Sequence, residues 1–141
     1  MTKQIIGRTD IVNFPDLNLY NIKVKIDTGA YTSAIHCERI IEENNVLKCF
    51  FHNENHPNYS EEPVLFTNYT TTGVKSSNGI KENRFKIKTT IQIFGKTYKI
   101  NLTLSTRDDM RFPVLIGRQF LKRKFLVDVD LENVSFKSIT K

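Results

Sequence analysis

The chain has no tryptophan, two cysteines, three histidines and four prolines in 141 residues. Two thiols cannot build the dense disulfide framework of a small secreted domain, so Cys37 and Cys49 are expected to be free in a reducing compartment. No apolar run approaches the length that spans a bilayer, and Met1-Thr2-Lys3-Gln4-Ile5-Ile6-Gly7-Arg8 lacks the apolar stretch of a signal peptide. A cytoplasmic protein with no membrane partner is therefore expected. Neither a glycine-rich phosphate loop nor a His-Glu-x-x-His pair is present, which removes the motif basis for nucleotide hydrolysis or zincin chemistry. A reading helix and a base-stacking motif are also missing, so nucleic-acid binding would rest on charge alone and is not expected. Internal repeats are absent, and 39% hydrophobic residues suit one domain over residues 1–141 with a modest core.

What the chain does have is basic charge, with 21 Lys and Arg against 15 Asp and Glu. The excess is uneven: Lys75, Lys81, Arg84, Lys86, Lys88, Lys96 and Lys99 share their stretch with a single acid, Glu82. Solvated surface lysine is one reading of such a stretch, and an acidic ligand is the other.

The apolar pattern is mostly of period two. Residues 3–12 suit a strand and a bend, and Asn13-Phe14-Pro15-Asp16-Leu17-Asn18 suits a turn. Ile22, Val24 and Ile26 share one strand face, and residues 32–35 form a second short strand. Residues 38–43 suit one or two helical turns. From 44 to 79 the pattern weakens around one apolar island, Val64-Leu65-Phe66, with Thr70-Thr71-Thr72-Gly73 and Ser76-Ser77-Asn78-Gly79 as mobile turns. Residues 82–105 alternate on both sides of Phe94-Gly95-Lys96, which predicts a long antiparallel hairpin. After a turn at Arg107-Asp108-Asp109, Val114, Leu115 and Ile116 suit a strand covered on both faces. A short helix closed by Lys122-Arg123-Lys124 follows, and residues 125–136 supply one or two last strands.

Two places carry candidate chemistry. Asp27-Thr28-Gly29 puts a carboxylate at the end of a rigid strand, with glycine permitting a tight turn. Cys49-x2-His52-x3-His56, with His36 and Cys37 nearby, has zinc-like spacing. No second metal-ligand element completes that set, so no metal is expected.

Three segments resemble a known family: Asp27-Thr28-Gly29-Ala30-x-Thr32-Ser33-Ala34-Ile35-His36, Arg107-Asp108-x-Met110-Arg111-Phe112-Pro113-Val114-Leu115-Ile116-Gly117-Arg118, and Phe125-Leu126-Val127-Asp128-Val129. They are similar to those of the retropepsin-like aspartic peptidases, and in particular of the bacterial and archaeal group named ATP-dependent zinc proteases. The resemblance implies a mainly antiparallel, all-β acid-protease barrel with one short helix, its active site on a homodimer two-fold. It implies Asp27, Thr28 and Gly29 as catalytic residues and Ala30, Tyr31 and Arg118 as substrate-binding residues. No cofactor is implied, and an ATP-grasp ligase of the glutamate-ligase type is the implied associate. Part of the substrate flap would fall in residues 44–79. In viral retropepsins the arginine at the position of Arg118 pairs with an acid where this chain has Tyr31, so here Arg118 is left to stack on Tyr31 or to pair with Asp128.

One Asp-Thr-Gly per chain means that the second acid comes from a second copy. Two facing carboxylates share one proton, because like charges oppose double ionisation. The ionised one takes a proton from water while the protonated one polarises the scissile carbonyl. The expected activity is thus endopeptidase cleavage of peptide or protein, with an acidic or glutamate-tailed substrate suggested by the ligase association that the resemblance implies together with the basic stretch. The alternatives are a non-catalytic module binding a peptide or partner on the same fold, and a zinc-dependent hydrolase.

Overall fold

A computed structural model describes residues 2–52, 55–75, 79–107 and 110–140. The expected turns at Ser76-Ser77-Asn78-Gly79 and Arg107-Asp108-Asp109 fall mostly outside these residues. In order, the elements are β1 (Gln4–Ile6), β2 (Thr9–Phe14), a 3-10 turn (Pro15–Leu17), β3 (Leu19–Ile26), β4 (Ser33–His36), β5 (Arg39–Glu43), β6 (Val46–Phe50) and β7 (Val64–Phe66). They continue with β8 (Tyr69–Lys75), β9 (Lys81–Ile93), β10 (Lys96–Ser105), β11 (Val114–Ile116), α1 (Arg118–Leu121), β12 (Phe125–Val127) and α2 (Val134–Ile139).

Strands β10, β4, β11, β3, β2 and β9 pair in that order, and β9 pairs back onto β10, so six strands close into a barrel. Closure leaves no free edge within the ring, and β8 extends it on the outer side of β9. The buried residues Val24, Ile26, Ile35, Ile87, Ile91, Leu102, Leu104, Val114 and Ile116 belong to one apolar core. Strand β11 runs between β3 and β4, parallel to the first and antiparallel to the second, which explains its uninterrupted apolar sequence. The predicted hairpin is β9 and β10, in register from Lys96 opposite Ile93 to Thr103 opposite Lys86. Its turn needs two left-handed residues, Phe94 at φ 52° and Gly95 at φ 70°. Phenylalanine is held there because its N–H donates to Ser135 Oγ at 2.7 Å and its ring stacks on Phe125.

Outside the barrel, β5, β6 and β7 form a separate three-stranded sheet, and β1 pairs in parallel with β12. Among the described residues no helix is long and apolar enough to cross a membrane.

Four expectations are corrected. Residues 38–43 are not helical: Ile40 and Ile41 are β-branched and lie in β5, which pairs with β6 through Asn44 and Asn45, both left-handed. Thr70-Thr71-Thr72-Gly73 is no mobile turn but the middle of β8, with Thr72 opposite Arg84. The turn at residues 13–18 begins only at Pro15, since β2 runs through Phe14, and Asn18 ends it with φ 55°. Residues 134–136 are helical, so a second helix joins the one expected. The cause lies far off in sequence: Asp10 accepts hydrogen bonds from the Ser135 and Phe136 N–H groups at 3.0 and 3.1 Å and so caps α2.

Candidate active site

Asp27 is the first residue beyond β3, and β11 fixes its backbone: its N–H donates to Ile116 O at 2.8 Å. Its carboxylate turns back over the loop, where Oδ1 accepts the Gly29 N–H at 3.1 Å and the Ala30 N–H meets Asp27 O at 3.2 Å. This is an Asx turn, in which the acid itself closes the loop. Gly29 is not left-handed, and its nearest neighbour is the Asp27 carboxylate, so the acid is what a side chain there would crowd. Asp27 is half-buried, while Thr28 and Gly29 are exposed beside it.

The first turn of α1 grips the loop carbonyl by carbonyl. Arg118 N–H donates to Ala30 O at 2.8 Å, Gln119 N–H to Tyr31 O at 2.9 Å, and Arg118 Nη1 to Thr28 O at 2.8 Å. Of the two partners open to Arg118, the structure selects Tyr31: the guanidinium carbon stands 5.8 Å from the ring centroid, whereas the Asp128 carboxylate accepts the Asp130 N–H. Stacking and a carbonyl acceptor thus replace the ion pair that Tyr31 makes impossible.

Gly117 is where two backbones cross. A Cβ there would lie 2.6 Å from both Tyr31 O and Thr32 O. Gly117→Ala is expected to force α1 off the loop and to cost about 1–3 kcal/mol, read as a lowered midpoint in urea with unchanged slope. Sequence reasoning missed the residue that fixes this crossing. Ser33, buried in β4, accepts the Gly117 N–H on its Oγ at 3.0 Å, while Ser33 O accepts the Thr103 hydroxyl at 3.2 Å. Its signals are its place in the family-like segment after Gly29 and a small polar residue directly before the apolar pair Ala34-Ile35.

The histidines and cysteines do not join this site. His36, His52 and His56 line one cavity of about 410 Å³ between the barrel and the loop after β6. The His52 and His56 rings stack at 3.9 Å, and His56 Nδ1 accepts the Asn58 N–H. Burial, and then the neighbouring His56, pull the His52 pKa below its ordinary value. Cys37 and Cys49 are instead in the core. Among the described residues no group of three His, Cys, Asp or Glu side chains is arranged to hold a metal ion.

Comparison with known proteins gives these features a context. Residues 5–138 match the family model described as retropepsin-like aspartic endopeptidase RimB. The chain is 34% identical over 130 residues to a probable alpha-L-glutamate ligase of Shewanella pealeana, a match that covers 89% of this chain and 28% of that protein. It is 32% identical over 151 residues to a protein of the same name from Desulfotalea psychrophila, covering 94% of this chain and 29% of the relative. The chain therefore spans little more than a quarter of these relatives' length. A crystal structure of a Legionella pneumophila protein of unknown function superposes with a TM-score of 0.68 at 23% identity, covering 95% of this chain and 99% of that one.

Proposed function

Because the chain belongs to the RimB-like family of retropepsin-like aspartic endopeptidases, we propose that it cleaves peptide bonds as a homodimer, with water activated between the Asp27 carboxylates of two protomers. The observation that carries this reading is the Asp27 loop: one carboxylate per chain, at the end of a barrel strand, locked by its own Asx turn and by α1. The ionised Asp27 takes a proton from the water, whose oxygen attacks the carbonyl carbon. The protonated Asp27 gives its proton to the carbonyl oxygen, and collapse of the resulting diol returns a proton to the departing amine. Thr28, exposed beside the acid, hydrogen-bonds across the two-fold to keep both loops in register. Since α1 occupies the carbonyls of Ala30 and Tyr31, these residues contact substrate through their remaining groups, and Arg118 serves the substrate by holding the loop that meets it.

The two-stranded β1–β12 sheet suits the protomer interface. It adjoins the acid, because Arg8 follows it closely and accepts the Ile26 N–H on its carbonyl. It also presents Ile5 and Leu126, directly opposite one another and 47% and 54% exposed. Leu126→Arg is expected to give a folded monomer that no longer cleaves, as read by analytical ultracentrifugation beside a cleavage assay.

The substrate is an acidic, glutamate-tailed peptide or protein, and the partner is a glutamate ligase. The β8–β9 hairpin serves as the substrate cover, and the last described pair toward its tip is Lys75 opposite Lys81. Like charges placed directly across a hairpin repel, and an anion between them removes that cost. Lys86 and Lys88 add positive charge on the other face of β9, where Glu82 is already engaged by the largely buried Arg84 at 3.2 Å. The ligase names of the relatives support the same pairing. The test is digestion of a peptide library with and without glutamate tails in EDTA, read by mass spectrometry. Binding of tailed peptides without cleavage would leave the second reading, a docking module for a ligase substrate.

A further inference from the structure

We propose that Cys37 and Cys49 form a modification site, a dithiol that a hydroperoxide converts into a disulfide joining the barrel to the three-stranded sheet. These are the only two cysteines in the chain. Both are buried, 0% and 1% exposed, in the same core cluster, where the Cys37 thiol neighbours that of Cys49. The backbone makes the pairing firm. Cys37 leaves β4 with its N–H on Ser105 O at 2.7 Å, and the residues that follow the two cysteines are bonded directly, Glu38 N–H to Phe50 O at 2.8 Å. Cys49 itself sits in β6 opposite Ile40. The two cysteines thus flank the point where the chain passes from the barrel into the outer sheet.

The two thiols are not equivalent. The hydrogen bond to Cys49, and then burial, push the Cys37 thiol well above the ordinary thiol range and keep it protonated. Cys49 lines a cavity of about 230 Å³, together with Phe51, His52, Pro63 and Val64, which gives a small oxidant a way in. In the first step the Cys49 sulfur attacks the terminal oxygen of the hydroperoxide. The O–O bond breaks, an alcohol leaves with the thiol proton, and Cys49 becomes a sulfenic acid. In the second step the Cys37 sulfur attacks that of Cys49, the S–O bond breaks, and hydroxide leaves as water with the Cys37 proton. Two thiols lose two electrons, and the hydroperoxide ends as one alcohol and one water. Closing a short loop between two sheets narrows the unfolded ensemble, so the oxidised chain is the more stable form.

The test treats the purified full chain with tert-butyl hydroperoxide and then alkylates it in denaturant with iodoacetamide. The expected product carries no alkyl group before reduction and one on each cysteine after reduction, and it melts at a higher temperature than the untreated chain. Cys37→Ser should accumulate a sulfenic acid on Cys49 that dimedone traps, whereas Cys49→Ser should give no dimedone adduct. Full alkylation without a reductant, sulfinic acid on either residue, or a disulfide only between two chains would overturn the proposal. The mass readout on the unmutated chain stands even if a serine variant fails to fold.

Discussion

Asp27→Asn is expected to lower kcat/KM for any cleaved peptide by about a thousandfold or more while leaving fold and dimer intact, since a positioned acid or base contributes on the order of 10²–10⁴ and both members of the pair are lost together. The substitution is nearly isosteric. The asparagine carbonyl oxygen can still accept the Gly29 N–H that Asp27 Oδ1 accepts at 3.1 Å, so the loop and its grip on α1 remain. What disappears is the capacity to ionise, and with it the base that activates water. EDTA should leave the unmutated protein's rate unchanged, because the dyad uses no ion. Equal cleavage by both proteins would end the aspartic mechanism for this chain. The Leu126→Arg monomer separates chemistry from assembly: it keeps an intact Asp27 and should be as inactive as the asparagine variant.

The Asp27 loop was legible because its determinants are local. Three successive residues hold the acid and the group that turns it, and period-two apolar spacing announces the strand before it. The hairpin of β9 and β10 was legible for the same reason, with alternation on both sides of a Phe-Gly turn. Strand β5 was misjudged because its stability comes from pairing with β6, whose turn is two asparagines rather than the more familiar Asn-Gly. Strand β8 was misjudged because three threonines and a glycine look polar and loose until the long partner strand is laid beside them. Arg118 lay between two readings that spacing alone could not separate. Which one held depended on where the barrel brings α1, directly beneath the carbonyls of residues 28–31.

Asp10→Ala should be the most destabilising single change outside the apolar core, costing about 3–5 kcal/mol, and the reason is the one that made α2 invisible in sequence. The helix has no cap of its own: its N-cap position is Asn133, left-handed at φ 56° and without a side-chain hydrogen bond. Asp10, 1% exposed on β2, supplies the missing acceptor from far along the chain. Its two oxygens take three backbone N–H groups, those of Ile11, Ser135 and Phe136, at 2.8, 3.0 and 3.1 Å. A charged acceptor in a buried place makes strong bonds, and its removal strands donors at about 1–3 kcal/mol each, less whatever water can restore. The damage would spread beyond α2. Ser135 also accepts the Phe94 N–H that steadies the hairpin turn, and Asn133 N–H donates to Thr9 O on β2, so the helix is tied to the barrel at both places. Asp10→Asn keeps one good acceptor and should lose about half as much. Urea denaturation of the three proteins checks the order. If Asp10→Ala costs less than 1 kcal/mol, α2 is held by its apolar contacts and not by the carboxylate.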